Sequence, residues 1–151
     1  MHISFKGRDM KNKQHGITLI EIVVLIAYIG ILVALAKPMY LDYTVRNQVA
    51  EGLDVAAGTK SALTEYYEVH GILPTDNADA GLEAAGNIQS KYVASVSVAG
   101  ALITIQYGND ANVQINGETV TLTAFDKAGN VAWACAGGGV IQDKHLPPAC
   151  R

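Results

Sequence analysis

The feature that most constrains the fold is an apolar run from Ile17 to Ala36, in which the only charged side chain is the carboxylate of Glu21. Twenty residues at a rise of 1.5 Å each form a helix about 30 Å long, which matches the hydrocarbon core of a bilayer. A helix that is apolar on every face has to be buried. The run therefore predicts a helix within a membrane or within a bundle of other apolar helices.

Glu21 needs a compensating charge, because an ionised carboxylate in a lone membrane helix costs about 2.5–3.5 kcal/mol or more. A cut of the chain after Gly16 would supply one. The new amino terminus, at Ile17, would lie one helical turn from Glu21 and could pair with it in the same chain or in a neighbouring subunit.

Two other interpretations of the apolar run stay open. The run could be an ordinary membrane anchor whose carboxylate snorkels to the interface. It could also be a secretory signal peptide, because Lys11 and Lys13 precede it and Ala34-Leu35-Ala36 has the small-x-small form of a cleavage site before Lys37. A carboxylate inside the apolar run argues against the signal peptide.

The charge balance differs between the two ends of the chain. The 151 residues have a net charge of -3, and residues 1–16 contain four basic side chains and one acidic one. Residues 17–151 therefore hold seven basic and thirteen acidic side chains, a balance of -6. An acidic chain of this kind disfavours nucleic acid as a main ligand. Positive charge before the apolar run predicts that the amino-terminal end stays in the cytoplasm and the rest faces outward.

The two cysteines, Cys135 and Cys150, both follow the apolar run. This position favours one disulfide bond in an oxidising compartment, although two buried free thiols are the alternative. The intervening segment contains three consecutive glycines and a Pro-Pro pair, so it has little capacity for regular structure of its own.

Beyond Pro38, which should kink or locally open the helix, apolar residues recur with helical spacing as far as Tyr67, and Gly71 and Pro74 provide a stop signal. The stripe comprises Leu41, Val45, Val49, Leu53, Ala56, Leu63 and Tyr67. It predicts that the second half of a helix over about residues 17–70 buries one face against the chain's own domain.

From Lys91 the period changes to two residues, which predicts strands. Alternation runs through residues 92–98, 102–107, 119–124 and 131–135, and the Asn116-Gly117 pair is a hairpin signal. Trp133 shares a face with Val131 and Cys135 and is interpreted as a core residue. The fold class is therefore α+β: a long amino-terminal helix, with a membrane or filament-core half and an amphipathic half, packed on a roughly four-stranded antiparallel β-meander with a carboxyl-terminal disulfide-bounded loop.

The segment Gly16-Ile17-Thr18-Leu19-Ile20-Glu21, followed by an apolar run that ends at Pro38 and Tyr40, resembles the start of a type IV prepilin. The resemblance implies cleavage after Gly16 by a prepilin peptidase, methylation of the new amine of Ile17, and assembly into a filament in which Glu21 pairs with a neighbour's amino terminus. It divides the chain into a leader at 1–16, a transmembrane and assembly helix at 17–38, and a globular domain at 39–151.

The end of the chain is also similar to this family. Val131-Ala132-Trp133-Ala134-Cys135 and the terminal Pro-Pro-Ala-Cys resemble the end of type IVa major pilins. The resemblance implies a Cys135–Cys150 disulfide bond that closes an exposed loop used in subunit contacts and adhesion. We expect Asp143, Lys144 and His145 to be exposed residues of that loop.

The resemblance predicts a filament subunit rather than an enzyme. No catalytic motif, cofactor site or metal-ligand spacing is recognised, and the two histidines beyond the leader, His70 and His145, stand apart from any ligand motif. The predicted partners are identical subunits in a helical filament, the prepilin peptidase, the pilus assembly machinery, the inner membrane before assembly, and surfaces or host cells. The implied activities are twitching motility, surface adhesion and DNA uptake. The alternatives are a minor pilin, a type II secretion pseudopilin, a DNA-binding competence pilin and a soluble domain released at Ala36.

We expect the protein recovered from its native host to begin at an N-methylated Ile17. Intact mass together with amino-terminal sequencing distinguishes the interpretations, because each cleavage site removes a different number of residues. A chain that starts at Lys37 would show signal-peptide processing and would contradict the filament interpretation.

Overall fold

The structure is a computed structural model that describes residues 16–150. Residues 1–15 of the predicted leader, including Lys11 and Lys13, lie outside the described residues. The chain divides into two compact units, residues 1–37 and 38–151. Residues 16–150 form one α-helix, four strands and three short 3-10 turns, which confirms the predicted α+β class.

The helix α1 covers Leu19–His70, close to the predicted range. The helical assignment continues through Pro38, although a proline has no N–H to donate to the carbonyl of Ala34. At the other end Gly71 adopts a φ of +70°, and its amide N–H donates to the carbonyl oxygen of Tyr67 at 2.8 Å. A left-handed glycine directly after the last helical residue is a common helix terminator, so the predicted stop signal at Gly71 is confirmed.

The globular unit contains an antiparallel sheet whose strands follow one another in chain order, β1-β2-β3-β4. The strands are β1 (Val93–Ala99), β2 (Leu102–Tyr107), β3 (Thr119–Lys127) and β4 (Asn130–Gly137). Buried and exposed positions alternate along β2 and along the first half of β3. The predicted four-stranded meander is therefore confirmed.

The connection between β2 and β3 is longer than the Asn116-Gly117 pair suggests. Residues 108–118 separate the two strands, and the pair lies at the end of this loop rather than at a two-residue turn. Gly117, with a φ of +83°, donates its N–H to the carbonyl oxygen of Tyr107 at 2.9 Å. The glycine thus closes a long loop onto the end of β2, because the intervening residues fold into turns of their own.

The core lies between one stripe of α1 and one face of the sheet. The helix contributes four fully buried apolar residues, Val45, Val49, Ala56 and Leu63, all from the predicted stripe. The sheet contributes Val93, Val96, Val98, Ile103, Ile105, Tyr107, Val120 and Leu122. Leu41, Leu53 and Tyr67 complete the stripe and are half-buried.

Tyr107 brings β2 close to α1. Its hydroxyl donates to the backbone carbonyl of Val49 at 2.9 Å, and burial, together with the nearby carboxylate of Glu51, raises the pKa of Tyr107 above its ordinary value. The ring occupies the space where a side chain at Gly52 would begin, since a Cβ there would meet the Tyr107 ring and hydroxyl. Gly52 therefore sets the approach of the helix to the sheet.

The connector between α1 and β1 is fastened by a buried asparagine. The side-chain amide of Asn77 donates to the carbonyls of Glu83 at 3.0 Å and Val96 at 3.1 Å. Its side-chain oxygen accepts the N–H of Val98 at 2.7 Å. The Asn77 side chain thus forms one hydrogen bond within the connector and two to β1.

Two helical glycines provide a matched test of this packing. We expect Gly52→Ala to lower the free energy of unfolding by about 1–3 kcal/mol, because the added methyl group forces the Tyr107 ring to move. Gly58→Ala meets open space on an exposed face of the same helix, so better helix propensity should raise stability by about 0.5–1 kcal/mol. Denaturant unfolding of both variants measures the difference. Equal effects of the two substitutions would contradict the proposed role of Gly52.

Candidate functional site

The apolar part of α1 is uncovered in the isolated chain. Every described residue from Gly16 to Tyr40 is exposed, including fourteen large hydrophobic residues between Ile17 and Leu35. By length and composition α1 is able to cross a membrane, with a mean hydropathy of 2.8 over an 18-residue window. Exposed apolar patches larger than a few hundred Å² mark interaction surfaces in soluble proteins. This segment is therefore a candidate interaction surface.

The predicted processing and assembly residues lie at the start of this surface. Gly16 and Ile17 precede α1, and Glu21 lies in its first turn, where its backbone N–H donates to the carbonyl of Thr18 at 3.0 Å. Glu21 forms no ion pair with any residue in the described range 16–150. In the uncut chain the nitrogen of Ile17 is a peptide nitrogen, so its pairing with Glu21 stays a prediction.

A second candidate surface is the carboxyl-terminal loop. The structure joins Cys135 of β4 to Cys150 by a disulfide bond, with 5.0 Å between their Cα atoms, as predicted. The enclosed segment contains a 3-10 turn at Asp143–His145 and ends in another at Pro148–Cys150. Ile141 and Leu146 of this loop are buried in the core. The loop is thus attached to the domain by apolar contacts as well as by the disulfide bond.

Two side chains of α1 hold the same loop. The Asp42 carboxylate accepts hydrogen bonds from the Lys144 ammonium, with both oxygens 3.1 Å from Nζ. One turn along the helix, the Arg46 guanidinium donates to the Lys144 carbonyl through Nη2 at 2.7 Å and Nε at 3.1 Å. The helix therefore binds the side chain and the backbone of one loop residue.

His145 differs from the expectation of an exposed loop residue, since only 7% of its surface is accessible. The backbone N–H of Gln142 lies 3.3 Å from Nδ1 of the imidazole and donates to it. In the neutral ring the proton is consequently on Nε2, which lies 3.4 Å from an Asp42 carboxylate oxygen and donates to it. Both ring nitrogens of the buried His145 therefore have hydrogen-bond partners. Asp143 and Lys144 are exposed, as predicted.

These contacts change the acidity of Asp42. The hydrogen bonds from Lys144 and then from His145 hold the pKa of the Asp42 carboxyl below its ordinary value of 3.8. A group whose pKa is lower in the folded state adds stability above the unfolded value, and the contribution is lost as pH falls through the folded value. The attachment of the loop to α1 should therefore weaken only in acid, below about pH 3.8.

The described part of the chain, residues 16–150, contains no group of three or more His, Cys, Asp or Glu side chains placed to hold a metal ion. Both histidines of that range have hydrogen-bond partners within the chain. His70 stacks on Tyr66 and has Nδ1 3.0 Å from the Tyr66 carbonyl, and His145 is held by Gln142 and Asp42.

Comparison with known proteins points to filament subunits. A family model described as Pilin (bacterial filament) matches residues 45–151. A type IV major pilin protein PilE of Neisseria gonorrhoeae is 40% identical over 161 residues, covering 94% of this chain and 96% of its own. A fimbrial protein of Neisseria meningitidis serogroup B is 40% identical over 164 residues, with the same coverage. The type IV major fimbrial protein FimA of Dichelobacter nodosus is 33% identical over 160 residues, covering 94% and 98%.

The attachment of the loop to α1 is testable by pH. We expect the backbone amides of His145 and Leu146, which donate to Gln142 and Asp143, to lose protection from hydrogen exchange as pH falls below about 3.8. Asp42→Asn should lower that protection at neutral pH and remove most of its acid dependence, because the ionised acceptor is gone. Asp54→Asn is the control, since the Asp54 carboxylate forms no hydrogen bond or ion pair with residues 16–150. Unchanged protection in Asp42→Asn would contradict the assignment.

Proposed function

This chain belongs to the pilin family, and on that basis we propose that it is the structural subunit of a type IV pilus. The single observation that carries the proposal is the exposed apolar half of α1, attached to a globular unit whose own core is complete. Burying fourteen large apolar side chains is worth on the order of 20 kcal/mol or more. Lipid would cover them before assembly and neighbouring subunits afterwards.

The proposed subunit is processed before it assembles. Residues 1–16 are a leader that a prepilin peptidase removes after Gly16, residues 17–38 form the transmembrane and assembly helix, and residues 39–151 form the globular domain. The exposed position of Gly16 and Ile17, ahead of the first helical residue, supports access by a peptidase. Methylation of the amine of Ile17 follows the cut.

Glu21 is proposed to set the register of neighbouring helices. Among packed apolar helices its carboxylate would be away from water, where an uncompensated charge is strongly destabilising. The amine of Ile17 on a neighbouring subunit would neutralise it. Register would then follow from charge pairing, while apolar burial supplies most of the free energy.

We further propose the cellular course that pilins of this kind follow. The precursor spans the inner membrane once, with the globular domain in the periplasm, and pilus assembly machinery moves it into an extracellular homopolymer. The subunit has a structural role, with no enzymatic activity and no cofactor. Twitching motility and adhesion to surfaces or host cells are the proposed outcomes, and DNA uptake is a further one. The acidic balance of -6 beyond residue 16 makes nucleic acid a poor main ligand.

The role of Glu21 is tested by comparing Glu21→Ala with Glu83→Ala, an exposed carboxylate in the globular unit. We expect Glu21→Ala to reduce filaments sheared from the cell surface by about a hundredfold or more, because each subunit would bury an unpaired amine. Glu83→Ala should leave the yield unchanged.

Immunoblotting of the membrane fraction shows whether each variant accumulates, and mass analysis shows whether it is cut. Abundant normal filaments from a stable, processed Glu21→Ala subunit would rule out the register role. A wild-type chain that forms no filaments in its native host would rule out the pilus proposal.

A further inference from the structure

Trp133 of β4 lies in a surface groove that the filament role does not explain. The indole is half-buried against the core, and the Lys60 ammonium lies 5.4 Å from its ring centroid. A cavity of about 540 Å³ opens on one side, where the ring is joined by side chains of α1. We name this cavity the Trp133 groove, and besides Ala57 it is lined by Lys60, Ser61, Thr64, Glu65, Glu68 and Trp133.

A second cavity of about 340 Å³ shares Lys60 and Trp133 with the groove. It is lined mainly by apolar groups, among them Leu53, Leu122, Pro147 and the Cys135–Cys150 disulfide. The indole therefore lines both a polar and an apolar depression of the surface, and both are open to solvent. A ligand in this place meets a flat apolar surface beside a row of polar groups.

The polar groups of the groove are mostly hydrogen-bond acceptors. The hydroxyl of Ser61 donates to the Ala57 carbonyl at 3.1 Å, and that of Thr64 donates to the Lys60 carbonyl at 2.9 Å. Both hydroxyl hydrogens are used within α1, so their oxygens can only accept a further bond. The carboxylates of Glu65 and Glu68 are acceptors too. The side-chain ammonium of Lys60 is left as a donor, so the groove suits a ligand that carries several hydroxyl groups.

The groove carries charges of both signs, one ammonium and two carboxylates. An anion would be repelled by Glu65 and Glu68, and by Asp54 in the neighbouring cavity. An organic cation beside the indole would be repelled by the Lys60 ammonium, which lies 5.4 Å from the ring centroid, whereas a neutral hydroxyl group can accept a hydrogen bond from it. From this geometry we propose that the Trp133 groove binds a neutral saccharide, with an apolar sugar face on the indole and hydroxyl groups directed to the acceptors of α1.

The chain contains one tryptophan, so fluorescence excited selectively at tryptophan reports on the surroundings of Trp133. The test titrates the full-length protein, in a detergent without a sugar head group, with lactose, maltose and chitobiose. We expect a saturable change with at least one of these neutral disaccharides. Lys60→Met and Glu68→Gln should each weaken binding by about tenfold, because each removes a charged hydrogen-bonding group. Lys127→Met, an exposed lysine at the end of β3, should bind as the wild type does.

Glu68→Gln separates loss of binding from loss of folding, because Glu68 is exposed and makes no hydrogen bond or ion pair with residues 16–150. Its substitution should leave the thermal melting curve unchanged. The proposal is wrong if none of the three disaccharides gives a saturable change, or if Lys60→Met and Glu68→Gln both bind as the wild type does.

Three further outcomes would also overturn it. Binding of sialyllactose more tightly than the neutral disaccharides would mean that the groove prefers an anion. Binding of choline chloride more tightly than the neutral disaccharides would mean that it prefers a cation. A fluorescence change that depends on protein concentration without sugar would mean that a second copy of the chain covers the groove.

Discussion

The strongest physical constraint on this protein is an apolar surface that residues 16–150 leave uncovered. From Gly16 to Tyr40 every described residue is exposed, although this segment contains most of the large hydrophobic side chains of α1. The core of the globular unit is filled by one stripe of the same helix, from Val45 to Leu63. The hydrophobic effect that folds the domain is thus also available, over the preceding residues, to drive association with lipid or with identical helices.

Within residues 38–151, polar contacts as well as the core hold the strands and loops to the helical segment. Tyr107 bonds the helix backbone at Val49, the side-chain oxygen of Gln48 accepts the N–H of Asn112 at 2.8 Å, and Asp42 and Arg46 hold Lys144. These bonds attach three separate segments, namely β2, the loop after it and the disulfide-bounded loop, to consecutive turns of one helix. These loops are therefore attached to the part of α1 that belongs to the same unit.

Regular elements could be predicted from the sequence because each has a local signal. The stripe from Leu41 to Tyr67 has helical spacing, the strands alternate, and Gly71 ends α1. The loops were predicted less well. Asn116-Gly117 suggested a tight turn, but the chain uses residues 108–118 there. His145 was expected to be exposed and is buried, because its partners Asp42 and Gln142 satisfy both ring nitrogens and one of them is about a hundred residues away.

The sequence by itself determined the fold class and the presence of an apolar helix with one carboxylate, which follow from periodicity and composition. It favoured one disulfide bond between its two cysteines, and the structure shows that bond. The tertiary structure decided which polar residues meet. Asp42 with Lys144, and Lys60 with Trp133, are pairs separated by more than seventy positions, and no local pattern records their proximity. Such pairs form because the sheet packs on a single stripe of α1, which fixes the side chains of the loops and of the helix edges only once the core is complete.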